Sequence, residues 1–201
     1  MAEDGTNMKP QRGFTLTELM VTLAVAGVLA GVAVPNLRSF IQNSRLSSAS
    51  NDLLRSFNLA RTEAIKRQAN VVVCASALPM AAIPACSYGP FNGWIVFQDN
   101  NLSWQWENGE PIFERHELLD SSVTVKKDNN GIEMYLATGF ASPAGVKNPT
   151  RNILLCDIRG NQMVGTNSVE RAVLIVASGR TRVSATSADV STAAAAAGAC
   201  P

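Results

Sequence analysis

The stretch RGFTLTELMV, Arg12 to Val21, opens a long apolar run and sets one carboxylate, Glu18, inside it. From Phe14 to Val34 the 21 residues include only Thr15, Thr17, Glu18 and Thr22 as clearly polar members. About 20 apolar residues at ~1.5 Å rise per residue cross the hydrocarbon core of a bilayer, so the run reads as a membrane helix. A cleaved secretory signal has a shorter apolar region followed by a small-residue cleavage site, whereas this run continues directly into more helix. An ordinary signal anchor carries charge at its flanks, and Glu18 lies a full turn inside. A carboxylate in hydrocarbon costs on the order of 3 kcal/mol. Glu18 therefore either snorkels to the interface from near the helix start or serves a function that supplies it with a partner.

The order of features is a short polar leader (MAEDGTNMKPQRG), ending in Gly13, then Phe14, Glu18 and an unbroken apolar run. That order resembles the class III signal of type IV prepilins and pseudopilins. The resemblance implies cleavage between Gly13 and Phe14 by a prepilin peptidase on the cytoplasmic side and N-methylation of Phe14. Glu18 becomes the fifth mature residue, and Pro35 stands where that family often kinks its helix. The partner implied for Glu18 is the Phe14 amine of a neighbouring subunit, because opposite charges in a low-dielectric filament core attract and either one alone is costly there. The chain is then expected in the bacterial inner membrane as a single-pass protein with a periplasmic domain, and afterwards in a pilus filament. The partners implied are other pilins and minor pilins, the prepilin peptidase and the inner-membrane assembly platform.

Beyond Pro35, the apolar positions Leu46, Ala49, Leu53, Phe57, Ala60 and Ala64 recur at steps of three and four, giving one stripe of an amphipathic helix that covers a sheet. Arg38, Arg45, Arg55, Arg61 and Arg67 fall mostly elsewhere and read as a solvated face, or as contacts to neighbouring subunits. Gly27 and Gly31 form a small-x-x-x-small pair that permits close helix approach. From Val71, β-branched and aromatic runs take over: VVVCA (71–75), GWIVFQD (93–99), SVTVK (122–126), IEMYL (132–136), ILLCDIRG (153–160) and AVLIVA (172–177). The fold expected is α+β, a long N-terminal helix packed on a mostly antiparallel sheet. Its divisions are a leader (1–13), a membrane and filament-core helix (14–35), an amphipathic helix (36–70) and a β-rich domain (71–201). The tail SATSADVSTAAAAAGACP, from Ser184, is low in complexity and reads as a loop or mobile extension.

A pilin-type fold is also what the resemblance implies. Its finer match, carried by LARTEAIKRQ, GWIVFQD, LLCDIRGNQ and VLIVASGRTRV, is to minor pilins and pseudopilins of the GspH/FimT type. Residues 78–91 and 185–201 carry no part of it.

Chemistry is sparse. The net charge of +1 hides segregation, with six basic and two acidic residues from Leu37 to Arg67 against three basic and eight acidic from Asp99 to Glu133. A general polyanion binder is excluded and a local basic patch is not. The one histidine, His116, lies in the charged stretch ERHELLD. No triad, phosphate loop or dinucleotide fingerprint can be built, so neither an enzyme nor a cofactor is expected. Four cysteines without a C-x-x-C pair give no metal-ligand spacing and favour disulfides in an oxidising compartment. Of three possible pairings, the short Ala- and Pro-rich loop favours Cys74 with Cys86, leaving Cys156 with Cys200. Trp94 reads as core, and Trp104 and Trp106, in the acidic middle, as packing or a partner contact rather than a base-stacking pair.

The remaining feature is SGRTR, Ser178 to Arg182. Gly179 permits a tight turn, and Arg180 and Arg182 share a face if the segment is extended, which suits two adjacent phosphates. The same pair could simply blunt a sheet edge with charge. In FimT-type minor pilins, a G-R-x-R motif near the C-terminus binds DNA during natural transformation, so the resemblance implies sequence-independent binding of double-stranded DNA by Gly179, Arg180 and Arg182, with Lys147 and Arg151 as helpers. A structural or assembly-priming subunit, or a type II secretion pseudopilin, shares every N-terminal feature without that role.

Overall fold

The computed structural model describes residues 13–143 and 150–200. Two compact units divide inside the first helix, Met1–Ile41 and Gln42–Pro201. Helix α1 (Leu16–Arg67) runs on through Pro35. It ends in a Schellman pattern: Gln68 takes φ +51°, its N–H donates to the Ile65 carbonyl (3.3 Å), and the Ala69 N–H donates to the Ala64 carbonyl (3.2 Å).

Within the second unit, α1 buries all six predicted stripe positions, together with Ser50 and Ser56. The stripe faces two antiparallel sheets. One has the order β3-β2-β1-β5, from β1 (Val71–Ala75), β2 (Trp94–Gln98), β3 (Ile112–His116) and β5 (Ile132–Tyr135). The other runs β4-β6-β8-β7, from β4 (Thr124–Lys127), β6 (Asn152–Cys156), β7 (Met163–Val164) and β8 (Asn167–Ile175), with β9 (Thr181–Thr186) also paired to β8.

Strand alternation divides these side chains between an inner and an outer layer. Val71, Val73, Trp94, Val96 and Tyr135 of the first sheet meet Ile153, Leu155, Val173 and Ile175 of the second around α1. On the outer face of the first sheet, Val72, Cys74, Ile95, Phe97 and Met134 are covered by Trp104, with Trp106 packed alongside. On the outer face of the second, Leu154, Cys156, Ala172 and Leu174 are covered by Val190 and Ala193 of a second helix, α2 (Ser187–Ala197). Both faces of the central strands β1 and β8 are thus largely buried, which explains why VVVCA and AVLIVA are continuous apolar runs rather than alternating ones.

Helix α2 corrects the expectation of a loop or mobile tail. Low complexity here means alanine, the strongest helix former. Thr186 caps the start, with its hydroxyl accepting from the Asp189 N–H, and Val190 and Ala193 supply a buried stripe. Cys200 is disulfide-bonded to Cys156 with Cα atoms 6.0 Å apart, and Cys74 to Cys86 at 5.5 Å, both within ordinary disulfide spacing. His116 is half-buried despite the charged stretch around it. It ends β3, stacks on Trp94 with ring centroids 3.8 Å apart, and lies 3.6 Å from the Asp52 carboxylate. Trp94 is fully buried and its indole N–H donates to Ser56 on α1 (2.8 Å).

Candidate functional site

Two places carry the candidate residues. In the first unit, Gly13 and Phe14 are exposed and α1 begins just beyond them. Thr15 and Glu18 form a capping box: the Thr15 N–H donates to Glu18 Oε2 (2.9 Å), and the Glu18 N–H donates to the Thr15 hydroxyl (3.2 Å). The Thr15 hydroxyl also donates to Glu18 Oε2 (2.9 Å). Glu18 thus has a local partner that the sequence reading did not consider, although T-x-x-E before an apolar run is its signature. The apolar side chains that follow, Leu16, Leu19, Leu23, Val28 and Leu29 among them, are all exposed.

The second place is the β8–β9 turn. Gly179 adopts φ +78°, its N–H donates to the Val176 carbonyl (2.8 Å), and the Val176 N–H donates to the Arg180 carbonyl (3.0 Å). A Cβ at Gly179 would overlap the Gly139 carbonyl and come within 3.2 Å of Arg61 Nε, which itself donates to that carbonyl (3.0 Å). The glycine therefore serves the turn and the close approach of two backbones. Arg180 and Arg182 are exposed on either side of buried Thr181, whose hydroxyl pairs with the Tyr135 hydroxyl (2.9 Å).

The two guanidinium groups are not equivalent. Arg182 is held bidentately by Asp189 in the first turn of α2, at 2.6 and 2.7 Å. That pairing holds the Asp189 carboxyl well below the usual carboxylate range. Arg151, expected as a helper, instead turns inward. Its guanidinium lies 3.1 Å from the fully buried Glu133 carboxylate and donates to the Ser142 carbonyl. Burial pushes the Glu133 carboxyl up to about 7, with Arg151 and the Ser142 hydroxyl opposing the rise. A guanidinium neutralising a buried acid is not available to a phosphate, which corrects the role expected of Arg151. Lys147 lies outside the described residues. Among the described residues, one group of His, Cys, Asp or Glu is compact enough to hold a metal, namely Cys156, Glu170 and Cys200. Both of its sulfurs are in the disulfide.

Comparison with known proteins sets this geometry in a family. The model of the type II transport protein GspH matches residues 49–179, and that of the prokaryotic N-terminal methylation motif matches residues 8–34. The chain belongs to the GspH family. A fimbrial protein of Pseudomonas aeruginosa is 32% identical over 146 residues, covering 70% of this chain and 76% of its own. The type IV major alpha-pilin of Moraxella bovis is 41% identical over 46 residues, 23% of this chain, and the match spans 29% of that protein's length. Among solved structures, the type IV minor pilin FimU of Pseudomonas aeruginosa is similar with a TM-score of 0.48 at 18% identity, covering 72% of this chain and 91% of that one. The minor pseudopilin EpsH of Vibrio cholerae gives 0.46 at 10% identity, covering 70% and 97%.

Proposed function

We propose that this chain is a minor pilin of a type IV pilus, cleaved after Gly13, held in the inner membrane with its domain in the periplasm, and built into the filament through the first part of α1. The observation that carries the reading is the unpartnered apolar surface of that segment, where Phe14 is 88% exposed and Val28 71%. A helix apolar all round needs lipid or other helices as its surroundings. The implied partners are other pilins of the filament, the prepilin peptidase and the membrane assembly platform.

Because Glu18 also closes a capping box, Glu18→Ala removes a cap and a charge together. Glu18→Gln keeps the capping acceptor and removes only the charge. If the charge meets the Phe14 amine of a neighbouring subunit, both variants enter the membrane and both are depleted from sheared filaments. Normal recovery of Glu18→Gln in filaments would assign the residue to the cap alone.

A second element of the proposal is sequence-independent binding of double-stranded DNA at the β8–β9 turn. It is supported by the outward placement of Arg180 and Arg182 around buried Thr181. Arg180 leads in this reading, and Arg182 joins by exchanging the Asp189 carboxylate for a phosphate. With few charges engaged, binding is weak and falls with salt by a log-log slope of about 0.9 per neutralised phosphate. The full chain in detergent is expected to shift duplex DNA at low salt, and Arg180→Ala with Arg182→Ala to abolish the shift. Equal shifts by both proteins would remove the assignment. No shift by either would leave a structural or assembly-priming subunit, or a type II secretion pseudopilin.

A further inference from the structure

Beneath α2 lies a carboxylate with no structural use. Glu170 on β8 is 2% exposed, its Oε1 has no hydrogen-bond partner, and its Oε2 receives only a long 3.4 Å contact from the Ser168 hydroxyl. A buried, unpaired carboxyl oxygen is costly and calls for an explanation. Its surroundings supply one, since a Glu170 carboxylate oxygen lies within 4.8 Å of both Cys156 Sγ and Cys200 Sγ.

Most charged groups on the neighbouring elements are engaged elsewhere. Asp157 and Arg159 after β6 pair with each other, and Arg182 of β9 pairs with Asp189 of α2. Arg171 of β8 donates to the Ser168, Val169 and Glu170 carbonyls, and Lys127 of β4 to the Asn129 carbonyl, beside Lys126 on the same strand. The environment of the Glu170 carboxyl is set first by burial, which raises its pKa, and then by the Ser168 hydroxyl, which lowers it.

We propose that Glu170 is the proton acceptor in the closing of the Cys156–Cys200 disulfide. The two cysteines differ in access: Cys156 is fully buried in an apolar layer, whereas Cys200 is part-exposed on the chain that follows α2. An external disulfide oxidant therefore exchanges first with Cys200. Cys200 loses its proton to water, its thiolate bonds to one oxidant sulfur, the oxidant's own S–S bond breaks, and its other sulfur leaves as a thiolate that is protonated from water. The Cys156 thiol then has to lose a proton in surroundings that hold it tightly. Glu170 takes that proton, and the Cys156 thiolate attacks Cys200 Sγ. The Cys156–Cys200 bond forms, the mixed disulfide breaks, and the second oxidant thiolate leaves and is protonated from water. Two electrons pass from the two cysteines to the oxidant. Glu170 ends as a neutral carboxyl, the form that a buried, unpaired position tolerates best. The closed bond ties down the chain beyond α2, and with it the helix that covers the second sheet.

The other disulfide is an internal control, because among the described residues no carboxylate forms a comparable group with Cys74 and Cys86. The full chain in detergent is opened with dithiothreitol and closed with glutathione disulfide, and free thiols are trapped by alkylation and mapped by mass spectrometry. Positioned proton transfer contributes about 100-fold or more, so Glu170→Gln is expected to slow conversion of the Cys200–glutathione mixed disulfide to Cys156–Cys200 at neutral pH by at least about tenfold. Closure of Cys74–Cys86 should not change, and Glu170→Asp should restore part of the rate. Unaltered closure in Glu170→Gln, or equal slowing of both bonds, would overturn the proposal. The wild type tests it without any substitution. Once the Cys200–glutathione mixed disulfide has formed, its conversion to Cys156–Cys200 should slow less as pH is lowered from the thiol range towards neutrality than the corresponding second step at Cys74–Cys86, and parallel profiles for that step would also overturn it.

Discussion

The two parts of α1 obey opposite rules. From Leu46 to Ala64 six apolar residues form a narrow stripe that is buried against the sheets, with Leu54 and Leu59 half-buried beside it. From Phe14 to Ile41 they surround the helix, and the large ones are exposed. One sequence pattern is solved by the chain itself and the other is left for a different environment to solve. The first kind of surface should therefore respond to mutation in domain stability, and the second in membrane retention and filament entry.

The largest expected effect lies in the buried stripe. Phe57 is fully buried and meets Phe91 edge-on with centroids 5.7 Å apart. Phe57→Ala should lower unfolding free energy by about 3–5 kcal/mol, read from denaturant titration of the full chain in detergent. Leu23→Ala, in the exposed part, should leave that titration unchanged, and a similar loss from both would erase the distinction between the two parts.

Next comes the β8–β9 turn. Gly179→Ala forces a side chain into a left-handed position and onto the Gly139 carbonyl, at an expected cost of about 1–3 kcal/mol in the same titration. Arg180→Ala, at an exposed neighbour, should change stability by less than about 0.5 kcal/mol.

A pH effect comes third. Glu133 has its folded-state carboxyl raised from its ordinary 4.5 to about 7. Between those values the folded state binds more protons than the unfolded one, so the Glu133 contribution to stability falls as pH rises through that window and is constant above it. The wild-type-minus-Glu133→Gln difference in unfolding free energy should decline from about pH 4.5 to about 7. A flat difference would remove the role of burial.

The smallest effect belongs to the cap of α2. Thr186→Ala should cost about 1 kcal/mol and loosen the Asp189 carboxylate that holds Arg182, since the Thr186 hydroxyl donates to the same Asp189 oxygen at 3.1 Å. Circular dichroism together with protease sensitivity near the C-terminus would register it.

Much of the fold was legible because its signals are local. The stripe from Leu46 to Ala64 and the runs that became β1, β2, β5, β6 and β8 follow from periodicity and branching. Strand β3 was not legible: Ile112–His116 carries three charged or titratable residues in five and reads as a solvated stretch until β2 pairs with it and Trp94 stacks on His116. In the tail, low-complexity composition masks the T-x-x-D helix-start signal at Thr186 and Asp189. The arginine pair was legible as a pair, but the Asp189 partner of Arg182 and the Glu133 partner of Arg151 depend on which elements come together, which a single sequence does not encode locally. Glu170 carried no signal at all, since its meaning lies in two cysteines 14 and 30 residues away.

On the proposed function, the exposed part of α1 is the assembly element of a processed subunit. The most direct measurement is the intact mass of this chain in filaments sheared from the cell surface. The expected species begins at Phe14 and carries one N-terminal methyl group and both disulfides. An uncleaved chain found only in the membrane fraction and absent from filaments would contradict it.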